Sequence, residues 1–332
     1  DAQALSITEA PTRVQIGEKL TKGLGVGGDH TKGLKAAEES REELQEIVSG
    51  ADMVFITCGM GGGTGTGAAP TIAEIAKQAG ALTIAVVTKP FTFEGNHRCQ
   101  VADDGIVRLL GKVDTLIIIP NDRLLDLCDQ KTAVDNAFKL ADDVLRHGVQ
   151  AIAEVITVPG LINLDFADVK AVMKDAGPAW MSVGRGSGQN RAVDAAKEAL
   201  ASPLLDVSID GSKGVLFNVV GGSSLTLYEV NEAAEVVKQA VDVEANIIFG
   251  VAHDPTMDKE IRITLIATGF TSRLGMPGVS QEEELTQLLK GLKSEDELDV
   301  PSFLRRPLFS HRRQALVNAD KLVKTPLRTV VR

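Results

Sequence analysis

The sequence is poor in residues that mark several protein classes. Its three cysteines, Cys58, Cys99 and Cys128, stand far apart with no CxxC pair among them. That excludes a disulfide scaffold and reads as thiols packed as small hydrophobes in a reducing cytoplasm. Aromatics are 4% of the chain, with one Trp and one Tyr, so the cores must be aliphatic. No stretch approaches the ~20 consecutive apolar residues of a bilayer span. The opening DAQALSITEA has neither a basic start nor an apolar run behind it, so no secretory signal is expected. The five histidines lie far apart, none at metal-ligand spacing, and no G-x-S-x-G elbow occurs. A positive excess is also missing: 35 Lys and Arg against 45 Asp and Glu leave −10, which argues against a general nucleic-acid binder.

What is present is an ordinary soluble composition, 44% hydrophobic and 24% charged over 332 residues, enough for about two domains. Strand-like runs at Asp52–Cys58, Leu82–Val87 and Thr115–Ile119 alternate with helical spacing at Ala68–Gln78 and Gly105–Leu110. That alternation means βαβ units and a parallel sheet. From Thr132 to about Val158 runs the longest helical candidate, stopped by Pro159-Gly160. Val134, Ala137, Phe138, Ala141, Val144 and Leu145 mark its apolar face. The second half offers strands at Val215–Val220, Asn246–Val251 and Ile261–Ala267, and helices at Asp165–Ala176, Arg191–Ala201 and Leu227–Val241. A smaller α/β or α+β domain is expected there. Periodicity stops beyond Thr271. Seven acids between 281 and 299 are followed by eight bases between 305 and 332, the polarised pattern of an exposed interaction segment.

The strongest chemical signal is GMGGGTGTG at Gly59–Gly67, directly after a strand and before a helix. Missing side chains let backbone N–H groups approach an anion, and the helix aims its positive end at the same place. Thr64 and Thr66 add hydroxyls. No GK[ST] follows, so this is not a P-loop, nor is it the usual dinucleotide fingerprint. A second glycine segment, Gly23–Asp29, is a plain loop taken alone; beside the first it can close over a terminal phosphate. Glu94 and Arg98, four apart, suit a ribose hydroxyl or phosphate edge, or simply pair with each other. Phe138 and Asp142 share a helix face: a ring to stack on a purine and a carboxylate to accept two guanine N–H groups, or a core Phe beside a solvated Asp. Asp165 and Asp168, after Asn163, can orient water and hold a cation, although Asp165 is also placed to cap a helix.

These segments, in this order, resemble the tubulin/FtsZ family of cell-division GTPases. GMGGGTGTGAAP (59–70), TKPFTFEGNHR (88–98), IIIPNDRLL (117–125), NLDFADVK (163–170) and the tail peptide LDVPSFLRR (298–306) carry the likeness over nearly the whole chain up to Arg306. The resemblance implies a tubulin-like α/β GTP-binding domain over 1–130, a central helix over 131–158 and a smaller α+β activating domain over 159–272. It also implies a linker over 273–297, a partner-binding peptide over 298–306 and a basic tail over 307–332. It implies GTP and GDP as ligands, with Mg2+. Gly61, Gly62, Gly63, Thr64 and Gly65 would wrap the phosphates, with Gly27 and Gly28 at the γ-phosphate. Glu94 and Arg98 would meet ribose and phosphate; Asn121, Phe138 and Asp142 would surround guanine. Asn163, Asp165 and Asp168 would enter the site of the next subunit, so that GTP is hydrolysed inside a head-to-tail filament of a mid-cell, cytoplasmic division ring. Val300, Phe303 and Leu304 would anchor membrane-anchor and division-regulator proteins, making membrane contact indirect.

The family begins with a strand, a GGGGSN-like loop, a helix and a second strand that this sequence lacks before Asp1-Ala2-Gln3. The expectation is therefore an N-terminally shortened chain that by itself binds GTP poorly or not at all and misses a central strand of its sheet. An alternative follows: an assembly-inactive fragment acting only as a partner-binding module.

Overall fold

The computed structural model describes residues 1–125, 134–157, 165–202, 204 and 212–270. Cys128, Asn163, the 273–297 linker, the 298–306 peptide with Val300, Phe303 and Leu304, and the basic tail lie outside the described residues. Helices α1 (Ala2–Ser6), α2 (Glu18–Thr21), α3 (His30–Glu39) and α4 (Arg41–Val48) precede β1 (Met53–Gly59), α5 (Thr64–Gln78) and β2 (Leu82–Lys89). Then come α6 (Asn96–Leu110), β3 (Thr115–Pro120), α7 (Asn121–Leu125), α8 (Val134–Thr157) and α9 (Phe166–Met173). The remaining elements are β4 (Gly177–Ser187), α10 (Arg191–Leu200), β5 (Gly214–Gly221), α11 (Leu227–Lys238), β6 (Asn246–His253) and β7 (Glu260–Thr268).

All seven strands join one sheet in the order β1-β2-β3-β4-β7-β5-β6. β1, β2, β3 and the start of β4 run parallel, as the βαβ alternation predicts, whereas β7 lies antiparallel to both β4 and β5. The joining strand β4 escapes the sequence reading. GPAWMSVGRGS is rich in Gly and Ser and carries no β-branched run, yet its first residues pair with Thr115–Ile117 and its last with Glu260–Arg262. Its glycines are needed for packing: a Cβ on Gly184 would lie 2.1 Å from the Ala195 carbonyl oxygen and one on Gly186 1.8 Å from that of Arg191. The α10 backbone thus rests directly on the strand.

Side-chain alternation divides the core. Ala85, Val87, Leu116 and Ile118 pack under α5 and α6 with Ala73, Ala102 and Leu109. The opposite face, with Ile84, Val86, Ile117, Met181, Leu216 and Ile266, meets Val144, Ile152 and Val155 of α8 and Val169 and Met173 of α9. Phe217, Val219, Ile263 and Leu265 pack on the α10 and α11 side. The long helix therefore packs on strands from both halves of the sheet. One expected core residue is misplaced by the sequence: Phe138 is 41% exposed.

Candidate functional site

β1 ends at Gly59, and the chain turns through Met60–Gly63 into α5, four residues earlier than Ala68, where the sequence reading began that helix. Gly61 takes φ +93° and donates its N–H to Thr66 Oγ1 at 2.9 Å. Thr66 is completely buried, so it braces the turn and is no ligand donor, contrary to the expectation from its hydroxyl. Thr64 is exposed at the mouth of the helix. Gly63 occupies the N-cap without a side-chain cap, leaving first-turn N–H groups for an outside acceptor.

The two glycine segments meet backbone to backbone. A Cβ on Gly63 would sit 2.3 Å from Val26 Cγ2, one on Gly33 2.2 Å from the Gly63 oxygen, and one on Gly67 2.2 Å from the His30 oxygen. Gly27, Gly28 and Gly62 by contrast face open space. Between the segments lies a cavity of about 710 Å³, lined by those three glycines with Gly61, Gly63 and Arg98. Asp29, which closes the second glycine segment, completes the lining with His30, His97 and Val101, three residues without a role in the sequence reading. Asp29 was findable as a helix-capping acid before α3. Its Oδ1 accepts from the Thr31 hydroxyl and from the Thr31 and Lys32 N–H groups. These bonds, the Thr31 hydroxyl first, hold its carboxyl down to about 2, and its charge is answered by α3 itself.

Glu94 and Arg98 do pair, Arg98 Nη1 to Glu94 Oε2 at 3.1 Å, while Glu94 Oε1 accepts the Phe91 N–H at 2.9 Å. Arg98 remains half exposed at the cavity rim. Where β3 passes into α7, Asn121 is buried and its Oδ1 has no donor among the described residues. The Phe138 ring stands edge-on to Phe91 with centroids 5.4 Å apart, and Phe91 stacks on Phe93. Asp142, one turn further along α8, is exposed. Phe91 is the aromatic partner that sequence spacing missed.

Asp165 stands at the N-cap of α9 in an extended conformation, but its side chain makes no cap bond. The capping reading of Asp165 is thereby corrected. Asp165 and Asp168 are both exposed, neither has a side-chain hydrogen bond or ion pair among the described residues, and neither lines the cavity.

Residues 1–129 match the "Tubulin/FtsZ family, GTPase domain" and residues 177–271 the "FtsZ family, C-terminal domain". The structure is similar to an empty FtsZ dimer of M. jannaschii, at 48% identity and a TM-score of 0.80, over 82% of this chain and 79% of that one. The chain belongs to the tubulin/FtsZ family. A mutant form of the M. jannaschii FtsZ matches equally well, at 48% identity and TM-score 0.80 over 82% of each chain. CetZ1 of Haloferax volcanii, a GDP-bound monomer, shares the fold at 20% identity, with TM-score 0.69 over 88% of each chain. At the family level, membership supports residues 1–129 as a guanine-nucleotide GTPase domain of the cytoskeletal type.

Proposed function

We propose that the protein binds GTP in the cavity between the glycine segments and hydrolyses it to GDP and phosphate where one subunit meets the next in a head-to-tail filament. Gly27, Gly28 and Gly61–Gly65, with the exposed Thr64, take the phosphates. Arg98, held by Glu94, meets the ribose and phosphate edge. Asn121, Phe138 and Asp142 receive guanine: the orphaned Asn121 Oδ1 and the exposed Phe138 ring suit a polar, planar base. Among the described residues no three His, Cys, Asp or Glu side chains gather as a metal cage. Mg2+ therefore fits here only as an ion held mainly by phosphate oxygens and water.

One observation carries the split site. The cavity is lined largely by glycine backbone, and the carboxylate pair Asp165 and Asp168 stands exposed outside it, without a side-chain partner among the described residues. Acids supplied by a neighbour, with Asn163 beside them, position the attacking water, and phosphoryl transfer is mainly positioning and charge stabilisation. Such a contact is heterologous and does not close, so it extends into a filament. The same reading places the filament in the cytoplasm at the mid-cell division ring and gives residues 298–306 to division regulators and membrane anchors. In the intact protein, GTP turnover per subunit is expected to rise with protein concentration. Turnover per subunit independent of concentration would contradict the split site.

A further inference from the structure

A second charged locus lies away from the glycine segments. β4 and β7 pair antiparallel with Arg185 directly opposite Arg262. Both strands alternate, so Arg185 shares the face of Met181 and Arg262 that of Ile266, the face that packs against α8. Like charges directly opposite one another oppose strand pairing. From α8, Arg146 and His147 approach the same place, Arg146 Nη2 lying 3.3 Å from His147 Nε2. Arg262 is half buried, yet among the described residues neither it nor Arg185 makes a side-chain hydrogen bond or ion pair. Glu154 and Asp254 lie near enough to favour the charge of Arg262 but, among the described residues, form no ion pair with it; Glu154 accepts from Gln150 and Asp254 from Thr256, while Asp143 holds Arg146 at 3.1 Å. The local field is positive enough to act on its neighbour. Burial first, then Arg262, Arg146 and Arg185, push the His147 imidazole down to about 4, with Asp143 opposing.

A half-buried guanidinium without a paired carboxylate costs folding free energy, and the guanidiniums of two directly opposed residues, Arg262 half buried and Arg185 exposed, offer planar donor forks that match an oxyanion. We propose that Arg185 and Arg262, with Arg146 at the rim, form a binding site for a phosphate-bearing ligand, separate from the glycine-lined cavity. The ligand supplies the close ion-pair partner that Glu154 and Asp254 do not, and ties β4 and β7 to α8, so it bears on the junction between the two halves of the sheet.

The test uses pyrophosphate as probe at constant ionic strength, comparing the full chain with R185Q/R262Q. In both proteins the glycine segments are unchanged, so binding there contributes equally. The thermal midpoint of the unsubstituted chain is expected to rise with pyrophosphate by at least three times the rise seen in the double variant. Without pyrophosphate at low salt, the double variant is expected to melt higher than the unsubstituted chain, because the repulsion is gone. Equal rises in the two proteins, or no rise in the unsubstituted chain, would overturn the proposal. A fold check by circular dichroism at low temperature, with R185K/R262K restoring the pyrophosphate response, separates lost binding from lost structure. Failure of the lysine pair to restore any response while folded would also count against the site.

Discussion

Gly62 and Gly63 are adjacent and do different work. A methyl on Gly63 meets Val26 at 2.3 Å, whereas one on Gly62 meets nothing within 4 Å and projects toward the cavity. Gly63→Ala should therefore lower stability by about 3 kcal/mol through overpacking, measured by urea denaturation. Gly62→Ala should leave the urea midpoint nearly unchanged while weakening GTP affinity at least tenfold in a nucleotide titration. An unchanged affinity would remove Gly62 from the phosphate site. Asp165 and Asp168 make a complementary case. Because neither carboxylate has a partner among the described residues of its own chain, Asp165→Ala and Asp168→Ala should cost almost no stability. GTP affinity should hold while turnover in the assembled protein falls at least a hundredfold.

Among the described helices, α10 and α11 are joined by an ion pair, buried at Arg191 and part-buried at Glu229. Arg191 Nε donates to Glu229 Oε1 at 2.6 Å, and the same guanidinium reaches Ser224 and the Asp258 carbonyl oxygen. Arg191, ahead of Thr226, holds the Glu229 carboxyl down to about 2. The folded value is below the unfolded one, so the contribution is complete above about pH 4.5 and is lost as pH falls toward 2. Glu229→Gln should cost about 3 kcal/mol at pH 7 and much less near pH 2. Parallel urea melts at the two pH values check this, and a pH-independent difference would rule out the ion pair as its source. At the same scale β4 shows why an element can be hidden. Its glycines read as loop residues because strand propensity is judged from side chains that pack. Gly184 and Gly186 are selected by the backbone of α10 lying on them, a contact that no local pattern records. The helix start at Thr64 is hidden for a related reason: glycines in the first turn of α5 lower helix propensity but admit α3 close alongside.

For the whole molecule, the proposal divides one reaction between two copies. Mixing Asp168→Ala subunits, which keep the cavity, with Gly62→Ala subunits, which keep the acids, should restore part of the turnover that each lacks alone. Interfaces joining a sound cavity to a sound acid pair then exist. A mixture no more active than its components would mean that cavity and acids must belong to one chain. What the sequence determined by itself is local: the alternation of β1, β2 and β3 with helices, the long α8, and the glycine run between β1 and α5. Each follows from periodicity or from a side chain's absence within a dozen neighbouring residues. Only the tertiary structure decided that Gly27–Gly28 stands against Gly61–Gly63, that Thr66 is a buried brace, that Asp165 caps nothing, and that Arg185 faces Arg262. Those outcomes depend on which distant backbones pack together, and that is fixed by burial across the whole sheet rather than by any neighbour in the chain.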